Sequence, residues 1–244
     1  LIKNGTSKAT IALNLANTGG LTINAGSIEI GNGGATGNIG TGSIVVAAGA
    51  TLAYNLDNTV LLDYKTNAKL RNVSGAGDIV LSGGHTLFNY TGTGVGFNEA
   101  NSWNLFSGNL IVKGGSEFRT IRNGATAMGT GDLILGDATT SGTLAQIEGN
   151  WTFTNDIVLV GPANIITNRS LVGVGGRSMK LQGIISGAGG LSLQDASSAF
   201  TDVNRGYIIT GNNTLNGTLS IAANTPVRIG GVPGNADANL LGAD

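Results

Sequence analysis

Three short blocks of sequence return along this chain in a fixed order, and that recurrence constrains the fold more than any other feature. The first is a Gly-rich lead-in to an alternating segment: Gly75-Ala76-Gly77-Asp78-Ile79-Val80-Leu81 and Gly187-Ala188-Gly189-Gly190-Leu191-Ser192-Leu193, with Leu1-Ile2-Lys3-Asn4-Gly5 reading as a truncated copy. The second places Asn and Gly before a strand-like run. It occurs at Asn17-Thr18-Gly19-Gly20-Leu21-Thr22-Ile23, at Asn101 to Val112, and at Asn213-Thr214-Leu215-Asn216-Gly217-Thr218-Leu219-Ser220-Ile221. The third occurs at Ile39-Gly40-Thr41-Gly42-Ser43-Ile44-Val45, at Met128-Gly129-Thr130-Gly131-Asp132-Leu133-Ile134 and at Leu241-Gly242-Ala243-Asp244. Copies stand about 90 and then about 110 residues apart, several coils rather than one. This reads as a single domain over 1–244 built of imperfect multi-coil units at about 1–74, 75–182 and 183–244.

Within the blocks apolar residues alternate with polar ones, as in Leu21, Ile23 and Ala25 followed by Ile28 and Ile30. Period two over four to six residues is the mark of a strand. Asn4-Gly5, Asn32-Gly33, Asn123-Gly124 and Asn216-Gly217 supply corners, because both residue types tolerate positive φ. No segment holds a three-four apolar spacing over ten residues, so essentially no helix is expected. One strand-and-turn coil cannot bury its own apolar side, whereas stacked coils bury continuous aliphatic rows. The expected fold is therefore all-β: a right-handed parallel β-helix (β-solenoid) of roughly ten coils, near 50 Å long at ~4.8 Å per coil. An antiparallel sandwich or barrel would also use Asn-Gly turns, but such folds carry more core aromatics and no long-range ordered repeats.

Composition excludes several classes. Only 11% of the 244 residues are charged, against about 25% in typical soluble domains, while 42 are Gly and 41% are hydrophobic. That apolar content with a net charge of -1 argues against disorder. The absence of Cys removes disulfides, Cys-ligated zinc and cysteine nucleophiles. The 13 Lys and Arg are scattered, with Lys65 to Arg71 and Arg119 to Arg122 the densest spots. No basic stripe exists to release counterions, so no nucleic-acid partner is expected. No run approaches the ~20 apolar residues of a membrane-spanning helix. The chain opens without Met and stops in mid-pattern, as a fragment of a longer or processed polypeptide would.

The run Asn17 to Asn32 resembles the strand repeat associated with autotransporter passenger domains, and Gly183-Ile184-Ile185-Ser186-Gly187-Ala188-Gly189-Gly190-Leu191 resembles the same family's lead-in. The likeness covers residues 1–55, 101–144 and 184–244 most clearly. It implies a right-handed parallel β-helix on a large secreted or surface-displayed bacterial protein and transfers no catalytic residue. Gln194-Asp195-Ala196-Ser197 departs from the family's Gly-Thr-Leu-rich strand, and no amphipathic membrane-barrel segment is present.

Candidate chemistry is sparse. His85 is the only His, with Asp78 and Ser82 nearby in sequence, but without a nucleophile elbow; a loop or coil-corner role is the expectation. Asp132, Asp137 and Glu148, and separately Asp195 with Asp202, are the carboxylates that a glycosidase-like pair would draw on; turn acids in solvent are the alternative. Gly175-Gly176 and Gly189-Gly190 lack the tandem continuation of a calcium repeat, and Gly92-Thr93-Gly94-Val95-Gly96 lacks the Lys and helix of a phosphate loop. Trp103, Trp151, Phe106, Phe118 and Tyr90 would stack sugars if exposed, or fill the core if not. Asn72-Val73-Ser74 and Asn150-Trp151-Thr152 are glycosylation sequons only in a glycosylating host.

The expectation is an extracellular structural or adhesive module of a bacterial cell surface, forming a stalk, layer or filament, with no enzymatic activity, cofactor or metal. End-to-end self-association and host or matrix glycans are the expected partners. A polysaccharide-binding or polysaccharide-degrading β-helix is the alternative.

Overall fold

Short alternating strands, here of two to eight residues, bury their apolar side only if the chain folds back over itself at each step, and it does. The computed structural model describes residues 1–40, 42–63, 72–89, 103, 105–120, 128–147, 150–167, 178–196 and 206–230. Within them lie sheets of five, nine, seven and four strands. Every pairing is parallel. The fold is an all-β parallel β-solenoid. Parallel neighbours cannot be joined by two-residue hairpins, so the sandwich alternative is excluded, and Asn4-Gly5 and Asn216-Gly217 turn coil corners; Asn32-Gly33, expected at a corner, lies instead inside strand Ser27–Gly34, where the register shifts between Ile30 and Gly34, and Asn123-Gly124 lies outside the described residues.

Successive strands visit the sheets cyclically. Face one holds the five-stranded sheet, and later in the chain the four-stranded sheet takes the same place in the cycle. Face two is the nine-stranded sheet and face three the seven-stranded sheet. Face three begins only at Leu61–Asp63. Before it, a single bridge between Asn14 and Asn38 occupies the corresponding place. Hydrogen bonds between adjacent rungs accordingly join residues 20 apart near the start (Asn24 to Asn4) and 31 apart where all three faces are present (Asn109 to Asp78).

Inward positions carry the aliphatic rows. Face two contributes Ile28, Leu52, Ile79, Leu110, Leu133 and Ile157 in one row and Ile30, Tyr54, Leu81, Val112, Leu135 and Leu159 in the next, all buried. Face three contributes Leu87, Phe118, Leu144, Ile165 and Leu193. Each such side chain contributes about 1.5–3 kcal/mol by leaving water, so stability accumulates rung by rung.

The repeated blocks occupy unexpected places. The second block's strands are Leu21–Ile23 on face one, Leu110–Val112 on face two and Leu219–Ile221 on face three. The first block behaves likewise, with Ile2–Lys3, Asp78–Ser82 and Leu191–Asp195 on faces one, two and three. What recurs in the sequence is therefore the local step, a Gly or Asn corner followed by a strand, because every face asks the same of its strand.

Candidate functional site

The corner leading into face two carries a column of side-chain oxygens. The register stacks Thr51, Asp78, Asn109, Asp132 and Asp156 on successive rungs, each next to an inward aliphatic residue and facing outward. These side chains accept hydrogen bonds from the next rung's backbone. Asn109 N–H donates to Asp78 Oδ1 (3.2 Å), Asp132 N–H to Asn109 Oδ1 (3.1 Å) and Ile184 N–H to Asp156 Oδ1 (2.8 Å). The column thus satisfies corner amides that the strand ladder has not yet engaged. Partial burial, and secondarily the neighbouring Asp156, raise the Asp132 carboxyl from its ordinary value. Asp78 and Asp132 are therefore members of a ladder rather than isolated turn acids.

Asp137 sits at the other end of strand Leu133–Leu135 from Asp132. Its Oδ1 accepts from the Thr140 hydroxyl and amide (both 2.8 Å) and from the Thr139 amide and hydroxyl (3.1 and 3.2 Å), which holds its carboxyl well below the usual range. Lys113 Nζ lies 3.7 Å from its Oδ2. The two acids flank a strand and share no substrate-sized site. Asp195 closes strand Leu191–Asp195, its amide bonded to Thr225 Oγ1 at 3.1 Å. Glu148, Asp202, Tyr90, Gly92–Gly96, Gly175–Gly176, Leu241–Asp244 and the basic run Lys65 to Arg71 lie outside the described residues.

His85 does stand at a coil corner, between strands Asp78–Ser82 and Thr86–Asn89, but its ring is fully buried beside Tyr54, centroids 6.4 Å apart. Nδ1 lies 2.9 Å from the Ser82 carbonyl oxygen, which assigns the proton to that nitrogen in the neutral ring. Ser82 Oγ bonds to the Tyr54 carbonyl instead (3.2 Å), and Asp78 points into the corner column. The three residues form no triad. Burial pushes the His85 pKa down to about 4, against opposing carbonyls of Ser82 and Leu56.

The aromatics resolve toward packing. Trp103, Phe106 and Phe118 are fully buried, Trp103 meeting Phe106 edge-on at 5.3 Å and 76°; none of the three offers a sugar a stacking face. Trp151, on strand Trp151–Phe153, is half-buried. A polar knot that sequence reasoning missed centres on Tyr207, whose hydroxyl lies 2.5 Å from the Ile165 carbonyl and 2.7 Å from that of Gln194. Burial raises its pKa. Tyr207→Phe leaves those buried acceptors short of a donor, so a loss of about 1–3 kcal/mol is expected, read as a lowered urea midpoint with an unchanged slope. A second omission is the Arg119–Glu117 ion pair on face three, two residues apart on one side of a strand. Of the sequons, Asn72 is exposed, and Asn150 Oδ1 accepts from the Ser178 amide at 2.8 Å.

Outside these clusters a shallow depression of about 210 Å³ lies on face three, lined by residues that include Pro162, Asn164, Ser192 and Ser220. Gln194 Nε2 bridges Asn164 Oδ1 (3.3 Å) and Ser192 Oγ (3.2 Å) nearby. Among the described residues no three His, Asp or Glu side chains gather closely enough to hold a metal ion, and no helix is long and apolar enough to cross a membrane. Comparison with protein-family models, with curated proteins and with solved structures found no match.

Proposed function

We propose that the protein is a structural or adhesive module of a bacterial cell surface, a right-handed β-helix of the autotransporter-passenger type with roughly ten coils, working through shape and stiffness without turnover. The observation that carries this reading is the nine-stranded parallel ladder closed over continuous aliphatic rows. Every rung is hydrogen-bonded to the next, which favours a stiff, protease-resistant rod. Right-handedness follows the strong preference of parallel crossover connections. The strand order adds support for a presented surface: the connections of most variable length all run from face three back to face one, as between Asn89 and Leu105 or Thr167 and Ser178. Variation gathered at one corner leaves the ladder intact.

The depression on face three favours glycan binding as the second reading, since Asn164, Ser192, Thr218 and Ser220 offer amide and hydroxyl groups there beside the apolar Pro162 and Ala163, matching the mixed polar and apolar surface of a sugar. One experiment separates the two. The purified chain is immobilised on beads and assayed for adhesion to host cells and matrix, for binding on a glycan array, and for chain shortening of a polysaccharide panel. Adhesion without shortening is the expected result. Glycan binding lost in Asn164→Ala moves the assignment to the second reading, and polysaccharide shortening overturns the first.

A further inference from the structure

The Asn-Gly pairs among the described residues share a sequence but not a setting. At the far end of strand Ser27–Gly34 the register passes from Ile30 opposite Tyr54 to Gly34 opposite Leu56, so Gly31, Asn32 and Gly33 together face Asn55 alone. Residues that the ladder cannot seat bulge out of it. Gly31 stays against the next rung, because a Cβ there would overlap the Asn55 carbonyl, whereas nothing lies within 4 Å of a carbon added to Gly33. Asn32 and Gly33 are both exposed, and the Asn32 side chain makes no hydrogen bond among the described residues. The other two pairs are pinned. Asn4 Oδ1 accepts from Asn24 Nδ2 (2.7 Å), the Lys3 carbonyl before it accepts from the Asn24 amide (2.8 Å), and Lys3 Nζ holds the Gly5 carbonyl. Asn216 N–H donates to the Gly187 carbonyl (2.9 Å), the Thr218 carbonyl accepts from Leu191 N–H (2.8 Å), and Gly217 between them rests on the Gly189 carbonyl, where a Cβ would not fit.

We propose that Asn32 is a site of spontaneous covalent modification, losing its amide to become aspartate and isoaspartate while Asn4 and Asn216 persist. The Gly33 backbone nitrogen, deprotonated by hydroxide, attacks Asn32 Cγ. The bond from the Gly33 nitrogen to Cγ forms, the Cγ–Nδ2 bond breaks, and the amide nitrogen leaves as ammonia, taking a proton from water that balances the one removed from Gly33. Water then opens the five-membered imide at either carbonyl, giving aspartate from one and isoaspartate from the other. Only water is consumed and only ammonia released. Ring closure requires the chain to rotate until the Gly33 nitrogen lies over Cγ, a near-attack arrangement that sets the rate. The Asn32-Gly33 backbone, without a register partner, reaches it by local motion. Asn4 and Asn216 must first give up bonds between rungs, and the free energy of that opening adds to the barrier. The product adds a carboxylate to a chain of net charge -1, on the strand where Glu29 pairs with Lys8 at 2.9 Å. The extra backbone methylene of isoaspartate falls inside the bulge, so Ile30 and Leu56 keep their buried places. The inference is independent of both functional readings above.

The test ages the purified chain in mildly alkaline buffer, once folded and once in concentrated urea. Peptides taken over time are mapped by liquid chromatography and mass spectrometry, and isoaspartate is counted with an isoaspartate-specific carboxyl methyltransferase. In the folded chain the Asn32 peptide should acquire the mass difference between an amide and a carboxyl several-fold faster than the Asn4 and Asn216 peptides. In urea the three rates should converge, because the sequence around the reacting bond is Asn-Gly in each. Asn32→Gln, whose longer side chain would have to close a larger ring, should leave its peptide unchanged, and circular dichroism melts establish that this variant folds. Equal rates at the three sites in the folded chain overturn the proposal. So does an ordering that urea leaves intact, or a mass gain that persists in the Asn32→Gln peptide.

Discussion

Gly108→Val should abolish cooperative folding or lower stability by more than about 4 kcal/mol, a loss reserved for a few named mechanisms. The mechanism here is space. A Cβ on Gly108 would fall 1.8 Å from the Gly77 carbonyl oxygen, and one on Gly131 would fall 2.0 Å from that of Gly108. These glycines stack at the corner into face two, where each rung rests on the backbone below. The rungs cannot part to make room, because Ser107 N–H donates to the Gly75 carbonyl (2.8 Å) and Asn109 N–H to Asp78 Oδ1 (3.2 Å) on either side. Gly49 supplies the contrast. Its φ is +76°, but nothing lies within 4 Å of the added carbon, so Gly49→Ala should cost only about 1–2 kcal/mol from the left-handed backbone. Urea unfolding followed by circular dichroism measures both. Equal midpoints for the two variants would refute the steric account.

That pair also shows what could be read from the sequence. Gly and Asn at strand boundaries announced corners, and alternation such as Leu21, Ile23 announced strands, because both are local requirements. Together they sufficed for a parallel solenoid. The stacking register is not local. Nothing in the text of Leu110-Ile111-Val112 says that it lies beside Ile79-Val80-Leu81 rather than on the face of its look-alike Leu21-Thr22-Ile23. For the same reason Asp78, Asn109, Asp132 and Asp156, scattered over nearly 80 positions, could not be seen as one column. The aromatics were ambiguous for a different reason. Trp103 and Phe118 look alike whether they face sugar or core, and only the three-sided interior decides in favour of core. The single His was placed correctly at a corner, but its burial depends on the Tyr54 ring from the rung before, which no neighbouring residue announces.

The burial of His85 carries the second large expectation, that stability falls steeply as pH drops from about 6.5 toward 4. In the unfolded chain an imidazole takes up its proton near pH 6.5, whereas in the fold burial holds its pKa down to about 4. Between those values the unfolded state binds more protons, so unfolding becomes easier as pH falls, and the full contribution is present only above about pH 6.5. A shift of this size corresponds to about 3 kcal/mol at the acid end of the window. The raised Asp132 carboxyl works in the opposite direction, losing stability as it ionises on the way up in pH, so the bare pH profile mixes signs. The difference between the wild-type profile and that of His85→Phe removes Asp132 and every other shared group. The apolar ring sits in the same pocket beside Tyr54 and gives up the carbonyl contacts of Ser82 and Leu56, a loss that is the same at every pH. The wild type should lose stability relative to the variant progressively between pH 6.5 and 4, and the two should run parallel above pH 7. Parallel profiles across the whole range would mean that the imidazole takes its proton in the folded protein as readily as in water, and that the corner opens to admit it.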